Sequence, residues 1–171
     1  MTKQIQDAYI VSATRSPVGK APRGMLKNVR PDDLLAHVLK AAVAQCPGLD
    51  KSVIDDVIVG CVLQWDQQHG NLGRHAVLAA GLPESVPAVT VDRQCGSGQQ
   101  AVSFAVHGIQ AGAYQLVIGA GVESMSQAPM PPSFKPGAPL GAQYSPSELA
   151  RYQDNPLIPQ GASSELMNKR F

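Results

Sequence analysis

Apolar and polar positions alternate along this chain in blocks of recognisable period. Residues 7–13, DAYIVSA, form a short apolar, β-branched run that predicts a buried strand. Residues 14–30 are polar and broken by Pro17, Gly19, Pro22 and Gly24, which predicts a loop. Pro31 then suits the first turn of a helix, and Asp32 and Asp33 suit its positive N-terminus. Leu34, Leu35, Val38, Leu39 and Ala42 recur on one helical face until Pro47–Gly48 stops the pattern. DDVIVGCVLQ, 55–64, predicts a second strand, and QWDQQHGN, 64–71, a polar loop. LGRHAVLAA, 72–80, predicts a short helix ended by Gly81 and Pro83. VPAVTVD, 86–92, predicts a third strand. From Gly96 to Gln110 the apolar positions Ala101, Val102, Ala105 and Ile109 mark a helix, with Gly112 as its stop. QLVIGAG, 115–121, predicts a fourth strand.

The resulting order is β-α-β-α-β-α-β, an α/β class with a mostly parallel sheet and helices on its faces. After residue 124 the pattern changes. Eight of the fourteen prolines fall between Pro129 and Pro159. This divides the chain into an α/β domain, 1–124, and an irregular, incomplete extension, 125–171. Only Gly161–Phe171 predicts another helix, with Ser163 and Ser164 as caps and Leu166 facing inward.

Composition narrows the picture. Apolar residues make up 44% of 171 positions but aromatics only 5%, so aliphatic side chains must fill the core. Net charge is +1 without a basic cluster, which argues against a nucleic-acid surface. No apolar stretch approaches the roughly 18–20 residues that cross a bilayer, and the N-terminus has no signal-peptide character. A cytoplasmic setting, with no membrane, is expected. Three cysteines, Cys46, Cys61 and Cys95, show no Cys–x–x–Cys or Cys/His ligand spacing, so neither a disulfide framework nor a metal site is expected.

One stretch carries chemistry. VTVDRQCGSGQQAV, 89–102, places Cys95 just past the third predicted strand and at the start of the next helix. Ligands of open α/β sheets sit beyond the carboxyl ends of the strands. The positive end of a helix favours thiolate over thiol, and thiolate is the nucleophile. Gly96 and Gly98 leave room for a carbonyl or thioester, and backbone N–H groups of such a turn can stabilise an oxyanion. A dinucleotide site is the rival, because Gly96–Ala101 fits G-x-G-x-x-A and Gly119–Ser124 is a partial match. The first is not in the first βα unit, and Asp92 precedes it, where that fingerprint has its acidic residue about 20 positions later. The second runs into Pro129, Pro131 and Pro132.

VDRQCGSGQQAV resembles the nucleophile segment of thiolases. AYIVSATRSPVGKAPRG resembles that family's opening strand and R-[ST]-P-x-G turn. GCVLQ followed by NLGRHAVLAAGLPESVPAVTVD, then GAGVESMSQAP at 119–129 and QGASSEL at 160–166, resemble further family segments in the same order. The resemblance implies a thiolase fold, N-terminal half only, with part of a loop domain that covers coenzyme A. It implies Cys95 as the catalytic residue that takes the acyl group as a thioester, with its own N–H in an oxyanion hole. The implied reaction is reversible acyl transfer between CoA thioesters, cleaving a 3-ketoacyl-CoA or condensing two acyl-CoAs. Coenzyme A is then a co-substrate, no cofactor or metal is bound, and the full-length form is a homodimer or homotetramer. The strand at about 87–92 would pair across the dimer interface.

The family's second half supplies an N-H-G-G region, a G-H-P histidine and a C-x-G-G-G cysteine. None of these strings occurs here, nor does the fifth strand of the first sheet that follows the loop domain. The chain reads as an N-terminal portion, inactive in turnover by itself. Two alternatives stay open: a non-catalytic thiolase-like assembly module, and a condensing enzyme of ketosynthase type. Among other candidates, His69 and His75 lie on the same rim as Cys95, while His37 and His107 sit mid-helix. Trp65, Gln67 and Gln68 suit an interface or pocket wall. Glu123 suits loop hydrogen bonding, and Met125 and Met130 suit core filling.

Overall fold

A computed structural model describes residues 5–130, 144–154 and 157–170. The chain divides into two units, Met1–Met130 and Pro131–Phe171.

The first unit contains α1 (Pro31–Ala44), β1 (Asp56–Gly60), α2 (Leu72–Ala79), β2 (Ala88–Val91), α3 (Ser97–Ala111) and β3 (Val117–Gly121). The three strands form one parallel sheet in the order β2-β1-β3. In β1 the strand period of two sends alternate residues to opposite faces. Val57 and Val59 enter a core with Leu35 and Leu39 of α1 and with Ala76 and Val77 of α2. Ile58 enters a smaller cluster with Ala101 and Ala105 of α3. The sheet is therefore covered on both faces, which is why its central strand is apolar from Val57 to Val59.

Local sequence explains the element ends. Asn71 caps α2 from a left-handed conformation, its side chain accepting the Arg74 N–H. Its amide also donates to the Ala88 carbonyl at 2.9 Å, tying α2 to β2. Arg74 donates to the carbonyls of Val86 (2.6 Å) and Glu84 (3.0 Å), holding the approach to β2. Gly112 closes α3 at φ 75°, a left-handed C-cap that glycine adopts without steric cost. Asp55 caps the entry to β3, its Oδ2 accepting the N–H groups of Gln115 (2.6 Å) and Leu116 (3.0 Å). These two backbone bonds, Leu116 first, hold its carboxyl below the usual aspartate range.

The expected strand at 7–13 is not a strand. Tyr9, Ile10 and Val11 are exposed, and the segment is tied to α1 instead. Ser12 Oγ donates to the Ala42 carbonyl and to Gln45 Oε1, both at 2.9 Å, and Thr14 Oγ1 donates to the Val38 carbonyl at 3.3 Å. The physical reason lies in the sheet. Among the described residues β3 pairs only with β1, and a cavity of about 980 Å³ is lined by residues 6–16 and 115–123, among others. Without a ladder partner, β-branched sequence alone does not make a strand. The observed order is thus α-β-α-β-α-β, with no counterpart of the fifth strand among the described residues.

In the second unit, α4 (Pro146–Arg151) and α5 (Gln160–Arg170) are both solvated. α4 was not expected from hydrophobic period, because it buries nothing; it is set by a capping box between Ser145 and Glu148 with Pro146 behind the cap. α5 begins at Gln160, so Ser163 and Ser164 lie inside its first turns, bonding back to the Pro159 and Gln160 carbonyls instead of capping it. Leu166 is exposed and does not face inward within this unit.

Candidate active site

Asp92 follows β2 and begins the turn that carries Cys95. Its Oδ1 accepts the Gln94 N–H at 2.7 Å, the side-chain-to-backbone bond of an Asx turn. Gln94 turns through φ 48°. Ser97, the first residue of α3, reaches back: its hydroxyl accepts the Arg93 N–H at 2.9 Å and donates to the Gln94 carbonyl at 2.5 Å. Ser97 is 4% exposed, so these bonds are shielded. Gly96 donates to the Arg93 carbonyl at 3.0 Å. The turn 92–97 is closed on itself by side chains from both ends.

Cys95 stands on this turn, exposed, one residue before Gly96, which is the N-cap of α3. Gly96 has no side chain and no side-chain cap bond forms there. The Ser97 N–H donates to the Gln94 carbonyl at 2.9 Å, while the next N–H groups of α3, Gly98 and Gln99, have no side-chain cap, and their partial charge favours an anion. β2 and β1 both end at this rim, so Cys95 lies beyond the carboxyl ends of parallel strands.

The other two cysteines differ. Cys46 is half-buried beyond the end of α1. Cys61 is buried directly after β1, and burial, with Glu123 and then Asp92 nearby, pushes its thiol up to about 12.

Glu123 bonds within loops, as expected. Its carboxylate accepts N–H groups from Val62 (2.8 Å) and Leu63 (3.3 Å) and the Gln68 side-chain amide (2.8 Å). Gln68, wholly buried, also donates to the Leu63 carbonyl at 2.8 Å and accepts the Ser124 N–H at 2.7 Å. Gln68 is thus an internal cross-link between the loops after β1 and β3, not a pocket wall. Trp65 Nε1 and Gln67 Oε1 are buried without a hydrogen-bond partner among the described residues. Met125 and Met130, expected in the core, are both exposed.

None of the four histidines is buried. His37, His69, His75 and His107 are exposed, and His69 Nδ1 contacts the Asp66 carbonyl. His107 lies twelve residues beyond Cys95, ten residues into α3 from Ser97. It lines a groove of about 520 Å³ on α3 with Arg93, Gln100 and Phe104, which Cys95 does not line. Among the described residues no group of three or more His, Cys, Asp or Glu side chains is placed to hold a metal ion, and no helix is long and apolar enough to cross a membrane.

The family model described as "Thiolase, N-terminal domain" matches residues 8–156. The chain is 46% identical over 126 residues to a 3-ketoacyl-CoA thiolase of Bacillus subtilis, covering 74% of this chain and 32% of that protein. It is 40% identical over 169 residues to a steroid 3-ketoacyl-CoA thiolase of Mycobacterium tuberculosis, covering 96% of this chain and 41% of that one. Among solved structures, the acetyl-CoA acetyltransferase of Bacillus anthracis superposes with a TM-score of 0.69 at 37% identity, over 84% of this chain and 36% of that one. The chain therefore spans about a third of the length of the relatives it matches.

Proposed function

We propose a reaction for Cys95 from one premise: the chain belongs to the thiolase family and has the α/β fold of its N-terminal domain. The proposed activity, for this domain together with the remainder that its relatives carry, is acyl transfer between coenzyme A thioesters. Cys95 Sγ attacks the thioester or 3-ketoacyl carbonyl carbon. A new C–S bond forms to Cys95, the bond to the leaving group breaks, and the leaving group takes the proton that Cys95 gives up. A second thiol or an acyl-CoA carbanion then removes the acyl group.

The observation that carries this reading is the placement of Cys95. It is exposed, beyond the carboxyl ends of β1 and β2, and immediately before a helix start that no side chain caps. The two remaining cysteines lack that combination. Coenzyme A is the proposed co-substrate, with 125–171 as the start of a segment that covers it, and the proposed assembly is a homodimer or homotetramer. A cytoplasmic location accords with three cysteines that are all free.

The test joins this chain to the C-terminal two-thirds of a relative and follows 3-ketoacyl-CoA thiolysis. Turnover is expected, with Cys95→Ser lowering kcat about a thousandfold or more. Undiminished turnover in Cys95→Ser would overturn the assignment.

A further inference from the structure

Gly60 ends β1 where three strand ends meet. It stands in register with Val91 of β2 and Gly121 of β3, and its carbonyl accepts the Val122 N–H at 3.1 Å. The start of α3 rests directly on it. A Cβ added at Gly60 would lie 2.3 Å from the Ser97 carbonyl carbon and 2.4 Å from both the Ser97 oxygen and the Gly98 nitrogen. These are backbone atoms, which cannot swing aside as a side chain can. Gly119 makes a looser version of the same contact one turn along α3, its added Cβ lying 2.9 Å from Val102 Cα. At Gly121 the contact relaxes to 3.4 Å from Gly98 Cα.

The helix start and the cysteine turn are one piece. Ser97 holds Arg93 N–H and the Gln94 carbonyl through its hydroxyl, so a displacement of the Ser97–Gly98 peptide is carried into residues 93–96. We propose that Gly60 is a positioning residue for Cys95: its missing side chain seats the first turn of α3 on the end of β1, and that seat sets where Cys95 and the adjoining N–H groups stand. This rests on the reading of Cys95 as the acyl acceptor.

Two reactions of Cys95 separate a positioning role from general damage. Both reactions need the thiolate, so its fraction cancels in their ratio; alkylation by iodoacetamide needs nothing further beyond a reachable sulfur. Acylation by a thioester passes through a species with negative charge on oxygen, which fixed N–H donors stabilise only when correctly placed. In acylation the Cys95 sulfur bonds to the acyl carbon, the carbon–sulfur bond of the reagent breaks, and the released sulfur takes the cysteine proton.

The experiment treats the 171-residue chain with S-phenyl thioacetate or with iodoacetamide and follows both adducts at Cys95 by peptide mass. In Gly60→Ala, acylation relative to alkylation is expected to fall about tenfold or more, a loss in line with small misplacements of reacting groups. Gly73→Ala is the control, since its Cβ would press on Val59 Cγ2 at 3.0 Å and strain packing away from the turn. It is expected to lower stability and leave the acylation-to-alkylation ratio intact. If Gly60→Ala does not fold, Gly119→Ala applies milder pressure to the same helix, and a smaller fall in the ratio is expected. An unchanged ratio in the folded variant overturns the positioning role. Absence of acylation at Cys95 in the unaltered chain overturns the reading of Cys95 itself, and the role of Gly60 with it.

Discussion

The two flanks of the sheet are built from similar sequence and end in different states. On the β2 flank, Val57–Gly60 of β1 pair with Ala88–Val91, α1 and α2 close over Val57 and Val59, and Asn71 and Arg74 tie helix to strand. On the β3 flank β1 pairs along its whole length, but a cavity lies between β3 and an exposed segment at 9–11. DAYIVSA is as strand-like in composition as DVIVG. The difference is the partner: a ladder needs N–H and C=O groups on a neighbour, and hydrophobic residues are inside only where something covers them. Stability in this unit is thus expected to be one-sided.

The largest test of that asymmetry is a pair of truncations. Leu39→Ala, at a site 1% exposed, is expected to cost about 2–5 kcal/mol in urea unfolding. Ile10→Ala, 83% exposed, is expected to stay within about 0.5 kcal/mol. Comparable losses would erase the distinction between the flanks. Next comes the cross-link. Gln68→Leu leaves the Leu63 carbonyl and the Ser124 N–H without their partner, and a loss of about 2–3 kcal/mol is expected for such buried groups. A neutral result would show that the two loops are not held together through this amide.

Titration sharpens the same contrast with smaller effects. The folded thiol of Cys61 stands at about 12, above the unfolded value of about 8.5. A raised acid favours the folded state fully below the unfolded value, and that contribution is lost as pH rises from about 8.5 toward 12. Unfolding measured across that window is expected to show an alkaline decline that Cys61→Ala reduces. A decline that persists in Cys61→Ala places its origin in another group. Asp55 acts with the opposite sign on the β3 flank. Its folded value is depressed by the Leu116 and Gln115 N–H groups, so its contribution is present above the unfolded value and lost as pH falls through the folded one. Asp55→Asn is expected to flatten the acid limb slightly, because the carboxylate is exposed; an unaltered acid limb would rule this cap out as its source.

How much of this was legible in the chain follows from the same physics. α1, α2 and α3 announce themselves through apolar faces, punctuated by Pro31, Gly81 and Gly112. β1, β2 and β3 announce themselves through short β-branched runs, and each observed strand is shorter than its run because only paired residues count. The segment 7–13 carries a strand-like pattern but no strand, because its fate depends on a neighbour and not on its own residues. α4 is written only in the capping box of Ser145-Pro-Ser-Glu148, with no apolar face of helical period beside it. At the candidate site, Cys95 and its glycines are visible locally. The cross-link of Gln68 with Glu123, 55 residues apart, and the seat that Gly60 makes for Ser97 are contacts between distant segments, and no local pattern encodes them.

The central claim is that Cys95, alone among three free cysteines, accepts an acyl group. Incubating the chain with an acyl-CoA, digesting it and weighing the three cysteine peptides tests this most directly. The account predicts acyl mass on the Cys95 peptide, with Cys46 and Cys61 clean. Acyl groups on Cys46 or Cys61 with Cys95 unmodified would contradict it.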